Sequence, residues 1–385
     1  MNRTVAHFLR THLPRLHVGD FLAFLKKNIV LCIAFSLAVV TSLIVPPDAA
    51  YTDYFDWKTL ACLFSVLAVV CALKNIRFFT ILARKIVSLT GNLRVAVIAL
   101  IYITFIGSML IANDMALLTF LPLGYYVLHA TDNERYMAPV FILQNIAANL
   151  GGMLTPFGNP QNLYIYSYFN IPTVEFMQIM LPAFLLAITL ITVCCLFFPA
   201  RSIELTEKTT NRLPSKRTIF YLALFAVSII MVFRVIPYWI GLIMVAIGIG
   251  LTDRKALKAV DYPLLLTFFC FFIFAGNMSR IPLINQMMTA WMEKNPLLVS
   301  IGSCQVISNV PSAILLSRFT GDYRSLLLGV NIGGTGTLIA SLASLITFRE
   351  YTAHNPGKAG KYIALFSAYN FAFLIVLTLF SLFIL

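Results

Sequence analysis

Charged residues are scarce in this chain: Asp, Glu, Lys and Arg make up 11% of its 385 residues, and 60% are hydrophobic. A soluble domain carries roughly 25% charged residues, so the chain lacks the polar surface of a soluble protein. It also lacks the alternating ~10-residue segments of a membrane β-barrel. Instead, apolar runs such as 28–45 and 362–384 approach the ~20 residues that cross a bilayer as a helix. We predict an all-α polytopic membrane protein.

Acidic residues are fewer than basic ones, 15 against 28, which gives a net charge of +13. The Lys and Arg residues lie in short loops between apolar runs, as the positive-inside rule describes. We therefore exclude nucleic acid as a partner and expect a lipid bilayer. The seven cysteines form no CxxC motif or Cys/His cluster, so we expect no cofactor and no metal beyond a coupling Na⁺ or H⁺.

Motifs of membrane enzymes and primary pumps are missing as well. The chain has no P-loop and no HExxH motif, and Asp114 has no second acid that would make a GxGD-type pair. Its hydrophilic loops are too short for an ATP-binding module. We predict that the protein is not an enzyme.

The distribution of basic residues predicts the topology. Basic residues in the segment 1–27 place the N-terminus in the cytoplasm, and a second basic cluster follows the span 58–73. Between that cluster and the next lie three apolar blocks: 95–128, 137–169 and 176–199. One block must enter and leave on the same side, and 95–128 has about 34 residues, too many for one span. We predict a re-entrant hairpin with its tip at Asn113–Asp114.

The second half raises the same topological problem, an odd number of apolar blocks between two cytoplasmic loops. Three blocks again separate two basic loops: 263–277, 297–321 and 325–347. The middle block contains "ISNVPS", which includes Ser308 and Asn309. A second hairpin at 297–321, entering from the opposite side, restores the parity.

The chain is therefore predicted to contain two inverted repeats, 28–199 and 238–385, joined by a cytoplasmic loop and a linking span at 200–237. Interfacial helices are predicted at 78–90 and 283–294. Inverted repeats are typical of secondary transporters, whose sites lie at broken helices near the bilayer midplane. This topology places the C-terminus outside.

Helix breaks are predicted at the same place in both repeats. "NLGGMLTPFGNPQNLYIY" from Asn149 aligns without a gap to "NIGGTGTLIASLASLITF" from Asn331, with a shared N-x-G-G-x-x-T core. The breaking residues are Gly151, Gly152, Pro156, Gly158 and Pro160 in the first repeat and Gly333, Gly334 and Gly336 in the second. Gly costs ~1 kcal/mol in a helix and Pro ~3 kcal/mol. We predict that helix 137–169 unwinds near Thr155–Asn162 and helix 325–347 near Thr335–Thr337.

Irregular backbone at membrane depth is tolerated only inside protein or beside a water-filled cavity. A broken helix offers its N-terminus to anions and its free carbonyls to cations, and side-chain amides and hydroxyls complete the site. The predicted substrate- and ion-binding residues are Asn113, Asp114, Asn149, Thr155, Asn159, Asn162, Ser308, Asn309, Asn331, Thr335 and Thr337. Each hairpin tip is expected to face the break of its own repeat, so that two equivalent clefts face each other.

Each of these features also has a plainer interpretation. The Gly-Gly pair can be a close-packing contact, and Asn149 and Asn331 can form interhelical hydrogen bonds. Asp114 can be an ordinary interface carboxylate. The repetition of the motif in both halves favours a site, and an ionisable group at bilayer depth is functional by default.

These residues resemble the ion transporter superfamily that groups arsenite efflux pumps, one type of sodium/proton antiporter, citrate carriers and divalent anion/sodium symporters. The motifs "NDMALLTFLPL" from Asn113 and "NIAANLGGMLTPFGNPQNLYIY" from Asn145 are most similar to bacterial citrate-transporter-like permeases. The resemblance covers both halves. It implies a scaffold part, often dimeric, and a mobile transport part that moves by an elevator-like displacement.

The hairpin tips depart from the symporter branch of that superfamily. There the tips carry Ser-Asn-Thr and help to bind sodium and the substrate carboxylate. Here they are Ala112-Asn113-Asp114 and Ser308-Asn309-Val310. An acid at position 114 favours proton or cation chemistry, as in the antiporter branch.

We predict secondary active transport of a small anion such as citrate or another carboxylate, coupled to Na⁺ or H⁺. The alternatives are Na⁺/H⁺ antiport and efflux of arsenite or another inorganic anion. The expected partners are a small anionic solute and a second copy of the chain in a homodimer. The expected location is the plasma (inner) membrane.

Overall fold

The computed structural model describes residues 28–203 and 213–385. The predicted cytoplasmic segment 1–27 and residues 204–212 of the predicted linking segment lie outside the described residues. The helices are α1 (Ile29–Ile44), α2 (Trp57–Asn75), α3 (Phe78–Val87), α4 (Leu93–Ile111), α5 (Asn113–Ala130), α6 (Met137–Gly151), α7 (Pro160–Tyr168), α8 (Thr173–Leu196), α9 (Ser215–Val232), α10 (Tyr238–Thr252), α11 (Arg254–Lys258), α12 (Tyr262–Arg280), α13 (Pro282–Lys294), α14 (Pro296–Ile307), α15 (Asn309–Leu316), α16 (Tyr323–Ile332), α17 (Leu342–His354) and α18 (Ala359–Ile384). Short 3₁₀ segments occur at Ala49–Tyr54, Glu134–Tyr136 and Gly152–Leu154.

Long apolar helices confirm the predicted class, an all-α polytopic membrane protein. Within the described ranges, seven helical segments are long and apolar enough to cross a membrane. They are α2, α4, α8, α9, α12, α18 and the segment Glu134–Leu154 that contains α6. The inverted orientation of the two halves and the re-entrant path of the hairpins remain predictions.

Two helix pairs meet at a single residue of unusual backbone conformation. Ala112 separates α4 from α5 with φ 65° and ψ 153°, and Ser308 separates α14 from α15 with φ 74° and ψ 161°. The helices of each pair pack against each other. The predicted first tip, Asn113–Asp114, is therefore one residue too late, because Asn113 already begins α5. Its side-chain oxygen accepts a hydrogen bond from the backbone N–H of Asp114.

Both predicted broken helices are discontinuous, with boundaries that differ from the expected ones. In the first, α6 ends at Gly151 and α7 begins at Pro160. Asn162 was expected in the unwound segment, but it lies in the first turn of α7. Proline favours the first helical position because its φ angle is already helical, so the chain resumes a helix there. In the second half the irregular segment is longer than predicted and runs through 333–341, between α16 and α17.

The helices form two groups by their packing. The scaffold bundle consists of α1, α2 and α9 to α12, in which α1 packs on α12 and α2 packs on α9 and α10. The site bundle consists of α4 to α8 and α14 to α18. The two bundles touch where α2 packs on α7 and where α12 packs on α15. Both broken helices therefore belong to the site bundle.

Candidate functional site

Asn149, in the last turn of α6, connects three parts of the site bundle. Its Nδ2 donates to the carbonyl of Asn145 at 3.2 Å, one turn earlier. Its Oδ1 accepts from Asn113 Nδ2 at 3.1 Å and from Ser341 Oγ at 2.8 Å. The first hairpin tip, the first broken helix and the second broken helix thus meet at one buried amide.

Asn331, in the last turn of α16, has the corresponding role in the second half. Its Nδ2 donates to the carbonyl of Leu327 at 2.8 Å and to Asn162 Oδ1 at 2.5 Å. Its Oδ1 accepts from Asn159 Nδ2 at 3.3 Å. The side chains of Asn331, Asn159 and Asn162 are all buried amides, and Leu327, which contributes its backbone carbonyl, is buried as well.

The two broken helices exchange equivalent hydrogen bonds. Asn149 and Asn331 occupy the same position of the repeated motif, and so do Asn159 and Ser341. Asn159 bonds to Asn331, and Ser341 bonds to Asn149. The two predicted clefts are therefore directly joined, rather than merely facing each other across a gap. We call the side chains of Asn113, Asn145, Asn149, Asn159, Asn162, Asn331, Ser341, Ser344 and Thr347 the amide network.

Asn162 stabilises the unwound segment of the first broken helix. Its Nδ2 lies 3.2 Å from the carbonyl oxygens of Gly152 and Met153 and 3.4 Å from that of Thr155. These carbonyls lie where the helix has ended, and buried backbone acceptors need a partner. Asn162 supplies it from α7, which explains how an open turn is kept within a buried region.

A threonine of each break bonds to the helix that leads to the hairpin tip. Thr155 Oγ1 donates to the carbonyl of Met109 at 2.9 Å, and Thr337 Oγ1 donates to that of Gln305 at 3.1 Å. The two threonines are aligned in the repeated motif, and each acceptor lies three residues before its tip residue. The helix before each tip therefore contacts the break of its own half.

Gln305 organises the second break and was not predicted as a site residue. Its Nε2 donates to the carbonyls of Gly333 and Thr335 at 2.9 and 3.1 Å, and its Oε1 accepts from the backbone N–H of Thr337 at 2.8 Å. The backbone at Gly336 has φ +113°, which a residue with a Cβ rarely adopts. A Cβ there would also clash with the Gln305 side chain.

The second tip meets Ala340 rather than the predicted threonines. The backbone N–H of Asn309 and the hydroxyl of Ser308 both donate to the carbonyl of Ala340, at 3.0 and 3.3 Å. A Cβ on Gly334 would lie 3.0 Å from Asn309 Nδ2 and 3.8 Å from Asn149 Oδ1. The absence of a side chain at Gly334 therefore keeps the space between the two asparagines open.

The remaining predicted residues have local roles. Thr335 Oγ1 donates to the carbonyl of Ile332 at 2.6 Å, which closes the end of α16. Gly158 N donates to the carbonyl of Thr155, and Pro156 lies in the turn between them. Among the described residues the hydroxyl of Thr335 bonds outside the amide network, so Thr335, Pro156 and Gly158 contribute to the shape of the breaks.

Asp114 does not join the first break. Its Oδ1 is buried and has no hydrogen-bond partner among the described residues. The predicted contact with the segment 155–162 is instead made by Asn113, through Asn149, because Asn113 occupies the first helical position next to α6. Asp114 is thus beside the network and is not one of its members.

A second layer of the network was also missed by sequence reasoning. Asn145 Nδ2 donates to Ser344 Oγ at 3.3 Å, and Thr347 Oγ1 donates to Asn145 Oδ1 at 3.4 Å. Ser344 aligns with Asn162 in the repeat, so the alignment contained a signal for it. Asn145 and Thr347 are outside the shared core of the motif, and only the packing of α6 on α17 brings them together.

Comparison with known protein families identifies the family to which the chain belongs. The family model described as "Citrate transporter" matches residues 21–321, which include both hairpins and the first broken helix. The chain belongs to the citrate transporter family. As a member of this family it is a membrane transporter and not an enzyme.

Two of three curated relatives of this citrate transporter family member are named as transporters, and the third is named as an inner membrane protein. An uncharacterized transporter of Methanocaldococcus jannaschii is 32% identical over 76% of this chain and 81% of its own length. The inner membrane protein YbiR of Escherichia coli is 30% identical over 76% of this chain and 80% of its own length. The silicon efflux transporter LSI3 of Oryza sativa is 29% identical over 40% of this chain and 32% of its own length.

Five buried amide oxygens in the described part of this citrate transporter family member have free acceptor capacity, and two of them lie at the first break. Asn159 Oδ1 and Gln161 Oε1 accept no hydrogen bond from the described residues. Both lie at the start of α7, where the first break ends. A buried acceptor without a partner is unfavourable, so both oxygens are suited to receive a donor or a cation.

Proposed function

We propose that the protein is a secondary active transporter of a small anion, such as citrate or another carboxylate, coupled to Na⁺ or H⁺. We further propose that the site bundle moves against the scaffold bundle in an elevator-like displacement. The observation that carries the proposal is the amide network, in which two broken helices and a hairpin tip share hydrogen bonds through Asn149 and Asn331.

Helix ends around the network suit both an anion and a cation. The N-termini of α5, α7, α15 and α17 lie at the tips and breaks, as do the C-termini of α4, α6, α14 and α16. N-termini carry partial positive charge and free N–H groups, which favour a carboxylate, whereas C-termini offer carbonyls to a cation. Both kinds of end meet in the same buried region.

The composition of the network supports coupling to a cation. Its members are Asn, Ser and Thr, which donate to a carboxylate but carry no charge. Bringing an anion into a buried region without a compensating charge is costly. A co-bound Na⁺, or a proton on the solute or on a nearby acid, would lower that cost. The proposal therefore requires that anion uptake depend on a sodium or proton gradient.

A flux measurement tests the proposal. The full chain in proteoliposomes should accumulate labelled citrate or succinate when a sodium or proton gradient is imposed. Thermal stabilisation by a panel of anions, with and without Na⁺, should identify the solute class, because a ligand that binds the folded state raises its stability. The proposal fails if no anion of a broad panel shows cation-dependent flux.

Asp114 supports a second candidate, Na⁺/H⁺ antiport. A carboxylate oxygen that is buried without a partner beside a hairpin tip is suited to exchange a proton for a cation. Everted vesicles containing the protein and a pH-sensitive dye should report proton release on addition of Na⁺ or Li⁺. We would abandon antiport if Asp114→Asn left that signal intact.

The name of one relative, a silicon efflux transporter, supports a third candidate, efflux of a small inorganic oxyacid or of arsenite. Such solutes present hydroxyl groups that an uncharged amide network can bind. Expression in arsenite-sensitive cells should then confer resistance. Unchanged sensitivity at confirmed expression would remove arsenite as a candidate.

The location and assembly follow from the same proposal. We propose that the protein resides in the plasma (inner) membrane with its N-terminus in the cytoplasm and its C-terminus outside. We also propose a homodimer formed through the scaffold bundle, which would hold that bundle still while the site bundle moves. Light scattering of the detergent-solubilised protein would measure the number of copies.

A further inference from the structure

Arg234 connects the scaffold bundle to the far end of a broken helix. It lies in the loop between α9 and α10, and its Nη1 and Nη2 donate to the carbonyls of Ile171 and Tyr166, at 3.1 and 2.5 Å. Its guanidinium carbon also lies 4.1 Å from the centroid of the Tyr166 ring. These carbonyls belong to the end of α7 and the turn after it, so a scaffold arginine holds a helix of the site bundle.

Arg318 makes a connection in the opposite direction. It follows α15 in the site bundle, and its Nη2 donates to the carbonyl of Tyr54 in the scaffold bundle at 2.7 Å. Its guanidinium carbon lies 5.9 Å from the centroid of the Tyr54 ring and 5.3 Å from that of Tyr168. Each bundle therefore contributes one arginine that donates hydrogen bonds to carbonyl groups of the other bundle.

The two arginines lie at two of the places where the bundles touch. Arg234 holds α7, which packs on α2, and Arg318 extends from α15, which packs on α12. The positive charge of Arg234 lies at the C-terminus of α7 and stabilises that helix end electrostatically. The other end of α7 carries Asn159 and Asn162, so the position of this helix sets the position of two network amides.

Neither arginine is fully satisfied in this arrangement. The Nε atoms of Arg234 and Arg318 are buried and have no hydrogen-bond partner in the described part of the chain. Arg234 also has φ 63°, a left-handed conformation that costs a non-glycine residue energy. Release to water would satisfy the unpaired donors, so these contacts suit a connection that opens and closes.

We propose that Arg234 and Arg318 form a two-point latch, which holds the site bundle against the scaffold bundle in the present conformation and opens when the site bundle moves. The latch rests on the displacement in the proposed function. It adds two positioning residues, which act through α7 and α15 and do not touch the solute.

Two other arginines provide matched controls. Arg280 forms an ion pair with Asp48 inside the scaffold bundle, at 2.6 Å, and Arg324 forms one with Glu175 inside the site bundle, at 2.9 Å. Arg280 lies close to the latch, since it also donates a hydrogen bond to the Tyr54 hydroxyl. Neither contact crosses between the bundles.

The test compares hydrogen–deuterium exchange of the full chain in lipid nanodiscs, without solute, for four single arginine-to-glutamine variants. Arg234→Gln and Arg318→Gln should each accelerate exchange of α7 and α15 by about tenfold, the effect of losing a charge-assisted hydrogen bond. Arg234→Gln should also accelerate hydrogen exchange in α15, to which Arg234 donates no hydrogen bond among the described residues. The reason is that the Arg234 and Arg318 contacts open together. Arg280→Gln and Arg324→Gln should leave α7 and α15 unchanged.

Three outcomes would overturn the latch: faster exchange in Arg234→Gln that is confined to α7, equal acceleration by all four variants, or no acceleration by the two latch variants. If a glutamine variant does not fold, the corresponding lysine variant replaces it. Lysine lacks the planar guanidinium, so we expect about threefold faster exchange than in the wild type. Unchanged exchange in the lysine variant would overturn the proposal. Since exchange needs no solute, a wild-type protein that transports nothing refutes the proposed function and leaves this result standing.

Discussion

Asn159 of the first broken helix donates a hydrogen bond to Asn331 of the second, across 172 positions of sequence. The same Asn331 donates to Asn162, so one amide of the second half connects two amides of the first. The contact is buried on all sides. A buried polar network of this kind is stabilising only while each member keeps its partners.

Replacing Asn331 should therefore cost more than replacing a buried asparagine outside the network. Asn331→Ala leaves Asn162 Oδ1 without its donor, and an unpaired buried group costs about 1–3 kcal/mol. Asn159 Nδ2 loses one of its two acceptors and keeps the carbonyl of Asn149. Asn370→Ala is the control, since the Asn370 amide also bonds one turn back, to Phe366, and has no side-chain partner. Thermal unfolding in detergent and solute flux measure the difference. Equal losses in both variants would contradict the network.

Gly336→Ala should disrupt the second break beyond the cost of its backbone. Gly336 and Gly357 both have positive φ, 113° and 83°. Alanine at either position pays about 1 kcal/mol for a left-handed conformation. At Gly336 the new methyl group must also displace Gln305, whereas nothing lies within 4 Å at Gly357. We expect Gly336→Ala to lose both solute binding and stability, with Gly357→Ala affecting stability alone; similar behaviour of the two would count against the role of Gln305.

The paired threonines predict equal effects in the two halves. Thr155→Val and Thr337→Val each remove one partly buried hydrogen bond to the helix before a tip, worth about 1 kcal/mol. Thr189→Val is the control, because its exposed hydroxyl bonds only one turn back within α8. Unfolding temperatures should fall for the first two variants and stay unchanged for the third. A fall in unfolding temperature for only one of Thr155→Val and Thr337→Val would show that the two breaks are not equivalent in energy.

The ion pair of Asp48 predicts a dependence of stability on pH. The Arg280 guanidinium, through its hydrogen bonds, holds the pKa of the Asp48 carboxyl below its ordinary value. A lowered folded-state pKa stabilises the protein above the unfolded pKa of about 3.9, and this stabilisation is lost as the pH falls through the folded pKa. Asp48→Asn should therefore unfold at a slightly lower temperature than wild type at pH 7. The difference should disappear in acid, and a difference that grew in acid would contradict the assignment.

Local breaks in the helices could be predicted from the residues alone. Gly151, Gly152 and Pro160 oppose a continuous helix by known amounts, so the discontinuity follows from propensity. The exact limits could not be predicted, because proline at a helix start is favourable and moved Asn162 into α7. The expected tip at Asn113–Asp114 was one residue too late, because the single residue between the two helices is Ala112 and Asn113 already begins α5.

The partners of the site residues were not predictable in the same way. Gln305 is a single polar residue in an apolar helix, and its sequence neighbours carry no sign that it bonds three backbone groups of the second break. Asn145 and Thr347 meet across 202 positions. Arg318 follows α15 in the sequence, and it reaches Tyr54 only because α15 packs on α12.

The sequence by itself determined the membrane class, the helices and the positions of the two breaks, because hydrophobic runs, prolines and glycines act through local free energies that do not depend on distant residues. The tertiary structure alone decided which side chains meet. It placed Asn159 on Asn331 and Ser341 on Asn149, since both pairs require the two halves to be packed together. The physical reason is that a buried hydrogen bond needs both partners within about 3 Å, and only the packing of whole helices brings residues of opposite repeats that close.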